Sequence, residues 1–354
     1  MASQQSPKCL IAAGGTAGHV LPALAVAEAL RSRGANVAFA SNADSRLVRE
    51  AGFELDLFRV EGFPRRPGIA LARALGAAVL ALPACVRIIR RRRPDVVLGG
   101  GGYVAGPMVA AAGTLRIPAA LTEADAHLGL ANKLAAPFAR RVFLAFPIEG
   151  LDVPKYRVVG RPIRSRSRPV PQAEARAQFD LPDTGPVVLV FGGSQGAQRL
   201  NEAAVEAFAA DGPAVLHLSG ERDYRSLATR VQRPDYRLLS FTDDFGAALS
   251  AADLVVARAG GSVWEVAAAG KPALLVPYPH ATADHQTKNA RYFERGGGAV
   301  VVPEAELDLR RNVEELMGDP ARLERMGQAM LRLARHNAAD EIAEELIALA
   351  AARR

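Results

Sequence analysis

The sequence predicts an α/β protein made of two doubly wound, Rossmann-like units, and three observations carry that expectation. Short apolar runs alternate with helix-forming runs along nearly the whole chain. Two glycine-rich turns of closely related make, Gly14-Gly15-Thr16-Ala17-Gly18-His19 and Gly192-Gly193-Ser194-Gln195-Gly196-Ala197, lie 178 residues apart. A chain of 354 residues is long for one core and suits two domains of ordinary size.

Taken in order, the first half reads as strands over 9–13, 36–40, 95–98, 119–121 and 142–145, with helices over 23–33, 71–92, 108–115 and 130–136. The second half reads as strands over 187–191, 215–219, 237–239, 254–257 and 273–277, with helices over 200–210, 226–233, 245–251, 263–269 and 284–294. Strands alternating with helices in this way make parallel, doubly wound sheets. Between the halves, Arg161-Pro162-Ile163-Arg164 and the stretch through Pro169 and Pro171 have the Pro, Arg and Ser content of a hinge. The division is therefore 1–162, 163–335 and a C-terminal helical segment, 336–354, expected to pack back on the first domain.

Composition narrows the function. Hydrophobic content of 49% with 23% charged residues is that of a globular protein. The 44 Lys and Arg against 37 Asp and Glu leave a net charge of +7, which suits a polyanionic partner. Aromatic content of only 6% argues against single-stranded nucleic acid, where stacking platforms are usual, so no nucleic-acid partner is expected. Cys9 and Cys85 have no metal spacing and read as buried reduced thiols. The polar start, Met1 to Lys8, offers no secretory apolar region, and a cytoplasmic location is expected.

The stretch 69–89 is mostly apolar but interrupted by Arg73, Pro83 and Arg87, so a membrane span is not expected. Arg90 to Arg93 follow, closed by Pro94. Two readings stay open. One is a core helix whose last turn complements its own dipole. The other is a helix lying on an anionic membrane surface, with Ile69, Leu71, Leu75 and Val79 toward lipid.

A strand that turns through glycines into a helix points unpaired N–H groups at an anion, most often phosphate; the same glycines also serve tight turns for backbone reasons alone. The order Gly-Gly-x-x-Gly is not the dinucleotide pattern, and the second strand runs into Ser41 and Asn42 with no acidic residue to hold a ribose. Neither loop carries the Lys-Ser or Lys-Thr of a Walker motif. What remains is one anion site in each half, expected at the carboxyl ends of the strands and facing a common cleft. In the second half, Ser262 and Glu265 have capping-box spacing, and the Glu265 carboxylate equally suits the vicinal diol of a ribose. The loop from Pro277 to Asn289 is dense in side chains that suit sugar hydroxyls, or is a solvated loop capped by Asp284.

Together the two glycine loops, Pro22-Ala-Leu-Ala, Gly101-Gly102-Tyr103-Val-Ala-Gly106-Pro107, and the segments Arg258 to Glu265 and Asp284 to Asn289 resemble the MurG family. These transferases move N-acetylglucosamine from UDP onto undecaprenyl-pyrophosphoryl-N-acetylmuramyl pentapeptide in peptidoglycan synthesis. The resemblance implies a GT-B architecture, two Rossmann-like domains facing a cleft. It implies His19 at the reaction centre and donor contacts from Thr16, Ala17, Gly18, Arg164, Ser194, Gln195, Thr242, Gly261, Ser262, Glu265, Gln286 and Asn289. Acceptor contacts fall on Gly15, Tyr103, Asp125 and Asn132. The implied partners are a UDP-sugar, an undecaprenyl-pyrophosphate-linked acceptor and an anionic surface at the cytoplasmic face of the plasma membrane, where the protein is peripheral.

The expected chemistry is one inverting displacement, with His19 taking the proton of the acceptor hydroxyl. No Asp-x-Asp pair is present, so no cofactor or divalent metal is expected. The chain departs from the family pattern at Ala17, usually glycine, at Glu123-Ala124-Asp125, usually Glu-Gln-Asn, and at Arg161, commonly asparagine. Two alternatives remain open at this point: a related UDP-sugar transferase with another lipid or small-molecule acceptor, and a non-catalytic nucleotide-sugar-binding scaffold.

Overall fold

The computed structural model describes residues 6–62, 68–164, 169–193 and 196–353. The chain divides into two compact units, Met1–Arg164 with His336–Arg354, and Ser165–Arg335. In the first unit the elements run β1 (Lys8–Ala13), α1 (Ala17–Ser32), β2 (Asn36–Ser41), α2 (Arg46–Glu50), β3 (Glu54–Leu57), α3 (Ile69–Leu80), α4 (Leu82–Arg92), β4 (Val96–Gly101), α5 (Ala105–Thr114), β5 (Ala119–Glu123), α6 (Leu130–Ala135), β6 (Arg141–Leu144) and β7 (Tyr156–Val158). The second unit holds α7 (Gln172–Gln178), β8 (Val187–Phe191), α8 (Gln198–Phe208), β9 (Ala214–Leu218), α9 (Glu221–Ala228), β10 (Tyr236–Leu239), α10 (Phe245–Ala251), β11 (Leu254–Ala257), α11 (Val263–Ala268), β12 (Ala273–Leu275), α12 (His285–Arg295), β13 (Ala299–Val301), α13 (Leu309–Met317) and α14 (Pro320–Leu333). The last helix, α15 (Ala338–Ala351), returns to the first unit.

Both sheets are parallel, with strand orders β3-β2-β1-β4-β5-β6-β7 and β10-β9-β8-β11-β12-β13. The order reverses beside the first strand of each unit. That switch point lies between β1 and β4 in one and between β8 and β11 in the other, and each expected glycine loop leaves the first strand there. Central strands such as β8 are buried along their whole length because helices cover both faces, which is why they read as unbroken apolar runs. The pairing of β1 with β4 carries an irregularity: Ala12 faces Gly99 but Ala13 faces Gly101. The extra residue bends the end of β4 toward the loop after β1.

Several elements differ from the sequence expectation. The single helix expected over 71–92 is two, α3 and α4, meeting at Ala81. Pro83 lacks an N–H and its ring crowds the carbonyl four residues earlier, so the helix restarts there. Helix α1 begins at Ala17, inside the glycine loop, and runs through Pro22. The helix expected over 226–233 lies at Glu221–Ala228, where Glu221 and Asp223 complement the dipole of its first turn. Strands β3, β7 and β13 are short edge strands with weak apolar patterns and were not expected. In the segment read as a hinge, α7 follows Pro171, while 165–168 lie outside the described residues. Cys9 and Cys85 are buried free thiols, and burial pushes each up to about 12.

Helix α15 packs on α1 and seals the face of the sheet behind β1 and β4. Ile342, Ala343, Leu346 and Ala350 join the core formed by Ile11, Leu24, Leu30 and Phe39. Ion pairs at its rim join Arg33 to Asp340 (2.7 Å) and Glu344 (3.0 Å), and Glu345 to Arg141 (2.6 Å) and Arg157 (2.7 Å). Exposed pairs contribute little, so the apolar stripe holds the helix. Leu346 is fully buried. Leu346→Ala is expected to lower stability by about 2–5 kcal/mol in urea unfolding followed by circular dichroism; a change within experimental error would show that α15 is not part of that core.

Candidate active site

In the first unit the site is assembled where β1 and β4 end. Gly101 (φ 117°) and Gly102 (φ 74°) carry the chain past the end of β4 in conformations that favour glycine. A Cβ on Gly102 would lie 2.4 Å from the Gly14 carbonyl oxygen, and one on Gly101 would lie 2.8 Å from Cδ2 of His19. The imidazole therefore rests directly on glycine backbone. His19 sits in the first turn of α1 and lines a cavity of about 40 Å³ with Gly18, Gly101, Glu123, Asn132 and Arg161. That volume holds a few water molecules or one small anionic group.

The electrostatics of His19 are set by named neighbours. Burial pushes its pKa below the ordinary 6.5, and the Arg161 guanidinium pushes the same way. Asp125 and a hydrogen bond to the Gly14 carbonyl pull back upward. A carbonyl only accepts, so the ring nitrogen facing Gly14 carries a proton and the other keeps its lone pair in the neutral ring. The Thr16 hydroxyl lies 3.4 Å from Nδ1.

The remaining first-unit residues divide by position. Glu123 ends β5, and its carboxylate accepts from the amides of Ala124 (2.9 Å), Asp125 (3.3 Å) and Gly129 (2.8 Å) and from Asn132 Nδ2 (2.9 Å). Burial raises its pKa, and the Gly129 and Asn132 hydrogen bonds oppose the rise. Asn132 is buried and also donates to the Thr122 carbonyl (3.0 Å), so it braces this loop. Tyr103 lies over Gly15, and its hydroxyl accepts from Asn42 Nδ2 at 2.8 Å. Arg164 ends the first unit, paired through its guanidinium with Glu28 of α1.

In the second unit, Gly196 (φ 72°) leads into α8, and a Cβ there would lie 2.3 Å from the Ser219 carbonyl oxygen. Ser194 and Gln195 lie outside the described residues. Behind this loop runs a buried chain of polar groups that the sequence reading did not single out. His217 meets the Tyr236 hydroxyl at 2.9 Å and Asn201 Oδ1 at 3.0 Å, while Asn201 Nδ2 donates to the Ser219 carbonyl (2.8 Å) and Asp223 (2.9 Å). Because the Asn201 amide nitrogen is committed twice, its oxygen accepts from His217 Nε2–H and the tyrosine donates to Nδ1. Burial holds the His217 pKa down to about 4, keeping the ring neutral. A lone histidine inside the apolar strand run 214–218 was the available signal.

Around α11 the expected capping box is not formed. Ser262 has helical angles (φ −63°, ψ −14°) and its hydroxyl makes no capping hydrogen bond, because capping geometry needs an extended residue there. Arg258 is buried and donates to the carbonyls of Val276 (3.1 Å) and Pro277 (3.2 Å) while pairing with Glu304, so it ties the ends of β11 and β12. Asn289 is fully buried and donates to the Ala259 carbonyl at 3.1 Å, supporting the turn that carries Gly261 and Ser262. Gln286 accepts from the Tyr278 amide at 2.9 Å, and Thr242 is half-buried with its hydroxyl accepting from the Asp244 amide at 3.1 Å.

Comparison with known proteins agrees with this anatomy. Residues 9–144 match the glycosyltransferase family 28 N-terminal domain and 187–346 the glycosyltransferase family 28 C-terminal domain. A protein of Acidithiobacillus ferrooxidans, named UDP-N-acetylglucosamine--N-acetylmuramyl-(pentapeptide) pyrophosphoryl-undecaprenol N-acetylglucosamine transferase, is 42% identical over 96% of both chains. A Halothermothrix orenii protein of the same name is 35% identical, over 92% of this chain and 94% of its own. The crystal structure of Acinetobacter baumannii MurG superposes with a TM-score of 0.76 at 29% identity, over 97% of this chain and 99% of that one. The chain belongs to the MurG family of glycosyltransferases.

Three departures from the MurG pattern find a structural setting. Ala17 is the first residue of α1 and is absent from the positive-φ positions, so the methyl group is accommodated without backbone strain. Asp125 and Arg161 both act on His19, with opposite signs. In an NMR titration of the His19 ring, the midpoint is expected below 6.5; a midpoint above that value would contradict the balance of burial and charge described.

Proposed function

We propose that the protein transfers N-acetylglucosamine from UDP-N-acetylglucosamine to undecaprenyl-pyrophosphoryl-N-acetylmuramyl pentapeptide, with inversion at the anomeric carbon. The observation that carries the reading is a His19 imidazole set against glycine backbone, its pKa pushed down by burial, in a MurG-family fold. In the displacement, the acceptor hydroxyl oxygen bonds to the anomeric carbon as the bond from that carbon to the UDP oxygen breaks. The electron pair leaves with UDP, and the hydroxyl proton passes to the unprotonated nitrogen of His19. A base of this kind typically supplies about 10² to 10⁴ in rate. Positioning and stabilisation of the leaving diphosphate supply the remainder.

The second unit takes the donor in this reading. Gly196, Ala197 and the N-terminus of α8 offer backbone N–H groups to the diphosphate, and Glu265 on α11 meets the ribose. Gln286 and the turn at Gly261 and Ser262, braced by Asn289, face the sugar. Metal independence belongs to the proposal, on the ground that no Asp-x-Asp pair is present in the sequence; full activity in EDTA accords with it.

The same reading places the protein at the cytoplasmic face of an anionic membrane, where a lipid-linked acceptor is reached. Ile69 is 83% exposed, Val79 63% and Leu80 81%, an exposed apolar group on α3. The side chain of Leu71 lies outside the described residues, and Leu75 is 37% exposed. Ala72–Arg92 is long and apolar enough to cross a membrane by composition, with 28% buried, but the break at Ala81 divides it into two helices. The basic block is partly neutralised. Arg91 and Arg92 pair with Asp56 at 2.5 and 2.7 Å, and Arg92 also with Glu54, while Arg90 and Arg93 are exposed.

An assay with labelled UDP-N-acetylglucosamine and the pyrophosphoryl-lipid acceptor is expected to give labelled lipid product and one UDP per transfer. Labelled product only with a different acceptor or with UDP-glucose would favour a related transferase, a reading that Asp125 and Arg161 support as departures on the acceptor side. His19→Ala is expected to lower kcat by about 10² to 10⁴ with UDP affinity unchanged; near-normal turnover would remove His19 as the base. In vesicle sedimentation, Ile69→Asp with Val79→Asp is expected to abolish binding to anionic vesicles while the melting temperature holds. Undiminished binding would exclude α3 from the contact.

A further inference from the structure

Pro22 stands in the second turn of α1, and this has a consequence for the turn before it. In an α-helix the carbonyl of residue i accepts from the N–H of residue i+4, so Gly18 would be served by residue 22, and proline has no N–H to give. Arg161 supplies the missing donor: its Nη2 donates to the Gly18 carbonyl. The arginine arrives from the segment after β7, is 9% exposed, and lines the same cavity as His19.

We propose that Arg161 is a positioning residue for His19, replacing the helical hydrogen bond that Pro22 cannot make and fixing a permanent cation beside the imidazole. The proposal rests on the reading of His19 as the base. Residue and carbonyl adjoin: Gly18 immediately precedes His19, so the bond that pins this carbonyl also pins the turn from which the ring projects. The guanidinium stays charged at every working pH, and its charge opposes formation of an imidazolium. Among the described residues, the groups that face His19 are few. Arg161 comes from the segment after β7, Asp125 and Glu123 from the end of β5, and Thr16 and the Gly14 carbonyl from the loop before α1, while the β4 side presents only glycine backbone. Asp125 is the counterweight to Arg161.

The two effects of Arg161 separate by experiment. In Arg161→Gln, the acid limb of kcat/KM is expected to move to higher pH and kcat to fall about tenfold or more, with UDP affinity unchanged. Adding Pro22→Ala restores a backbone N–H to Gly18, so the double variant is expected to recover most of kcat while the acid limb stays displaced. Arg161→Lys keeps the charge but not the planar fork, and is expected to leave the limb in place with kcat reduced. It also carries the test if the glutamine variant does not fold. An acid limb unmoved by Arg161→Gln, or moved by Arg161→Lys, overturns the charge role. Failure of Pro22→Ala to recover kcat overturns the hydrogen-bond role. If instead His19→Ala keeps its turnover, the reading of His19 fails, and that result is distinct from either failure of Arg161.

Discussion

The contact on which the first unit's site depends is the close approach of two backbones, with Gly102 set against the carbonyl of Gly14 and no room between them for a methyl group. The irregular pairing at the end of β4, where Ala13 faces Gly101 after Ala12 faces Gly99, lies immediately before this approach. Because the glycines carry no side chains, His19 settles on the backbone itself, where burial disfavours its charged form. A residue with a Cβ at Gly101 or Gly102 would also need a backbone conformation that side chains resist. The chemistry of the imidazole is thus a result of the fold at the switch point.

The second unit solves a similar problem with the same device. Gly196 lies against the Ser219 carbonyl as Gly102 lies against that of Gly14. What differs is the support. In the second unit a neutral His217, fixed between Tyr236 and Asn201, stiffens the wall behind the loop and points no titrating group at a ligand. In the first unit the titrating group lies on the loop, flanked by Arg161 and Asp125. In the proposed reaction, two turns of related sequence serve binding in one case and proton transfer in the other.

Much of this was legible in the sequence, and the reasons are physical. Central parallel strands are buried on both faces, so their apolar runs announce them, and the glycine turns marked both switch points. Edge strands β3, β7 and β13 escaped because half-exposed strands of three or four residues carry little pattern. The break at Ala81 was marked by Pro83 but was masked by the apolar run around it. Ser262 and Glu265 had the spacing of a capping box, yet spacing cannot report that Ser262 is helical rather than extended. Asn132 and Asn289 were read as ligand contacts; what the sequence did not carry is that both are buried and donate to backbone carbonyls. The relation of Arg161 to Pro22 spans more than a hundred residues and has no local signature.

The central claim is that a neutral His19, held against glycine and beside Arg161, receives the acceptor's proton. The most direct measurement compares two quantities on the same protein: the midpoint of the acid limb of kcat/KM for the lipid acceptor, and the titration midpoint of the His19 ring observed by NMR in the free enzyme. The account predicts that the two coincide and lie below 6.5, the ordinary histidine value. An acid limb that departs from the His19 titration by a full pH unit would contradict it, and would assign the proton to another group.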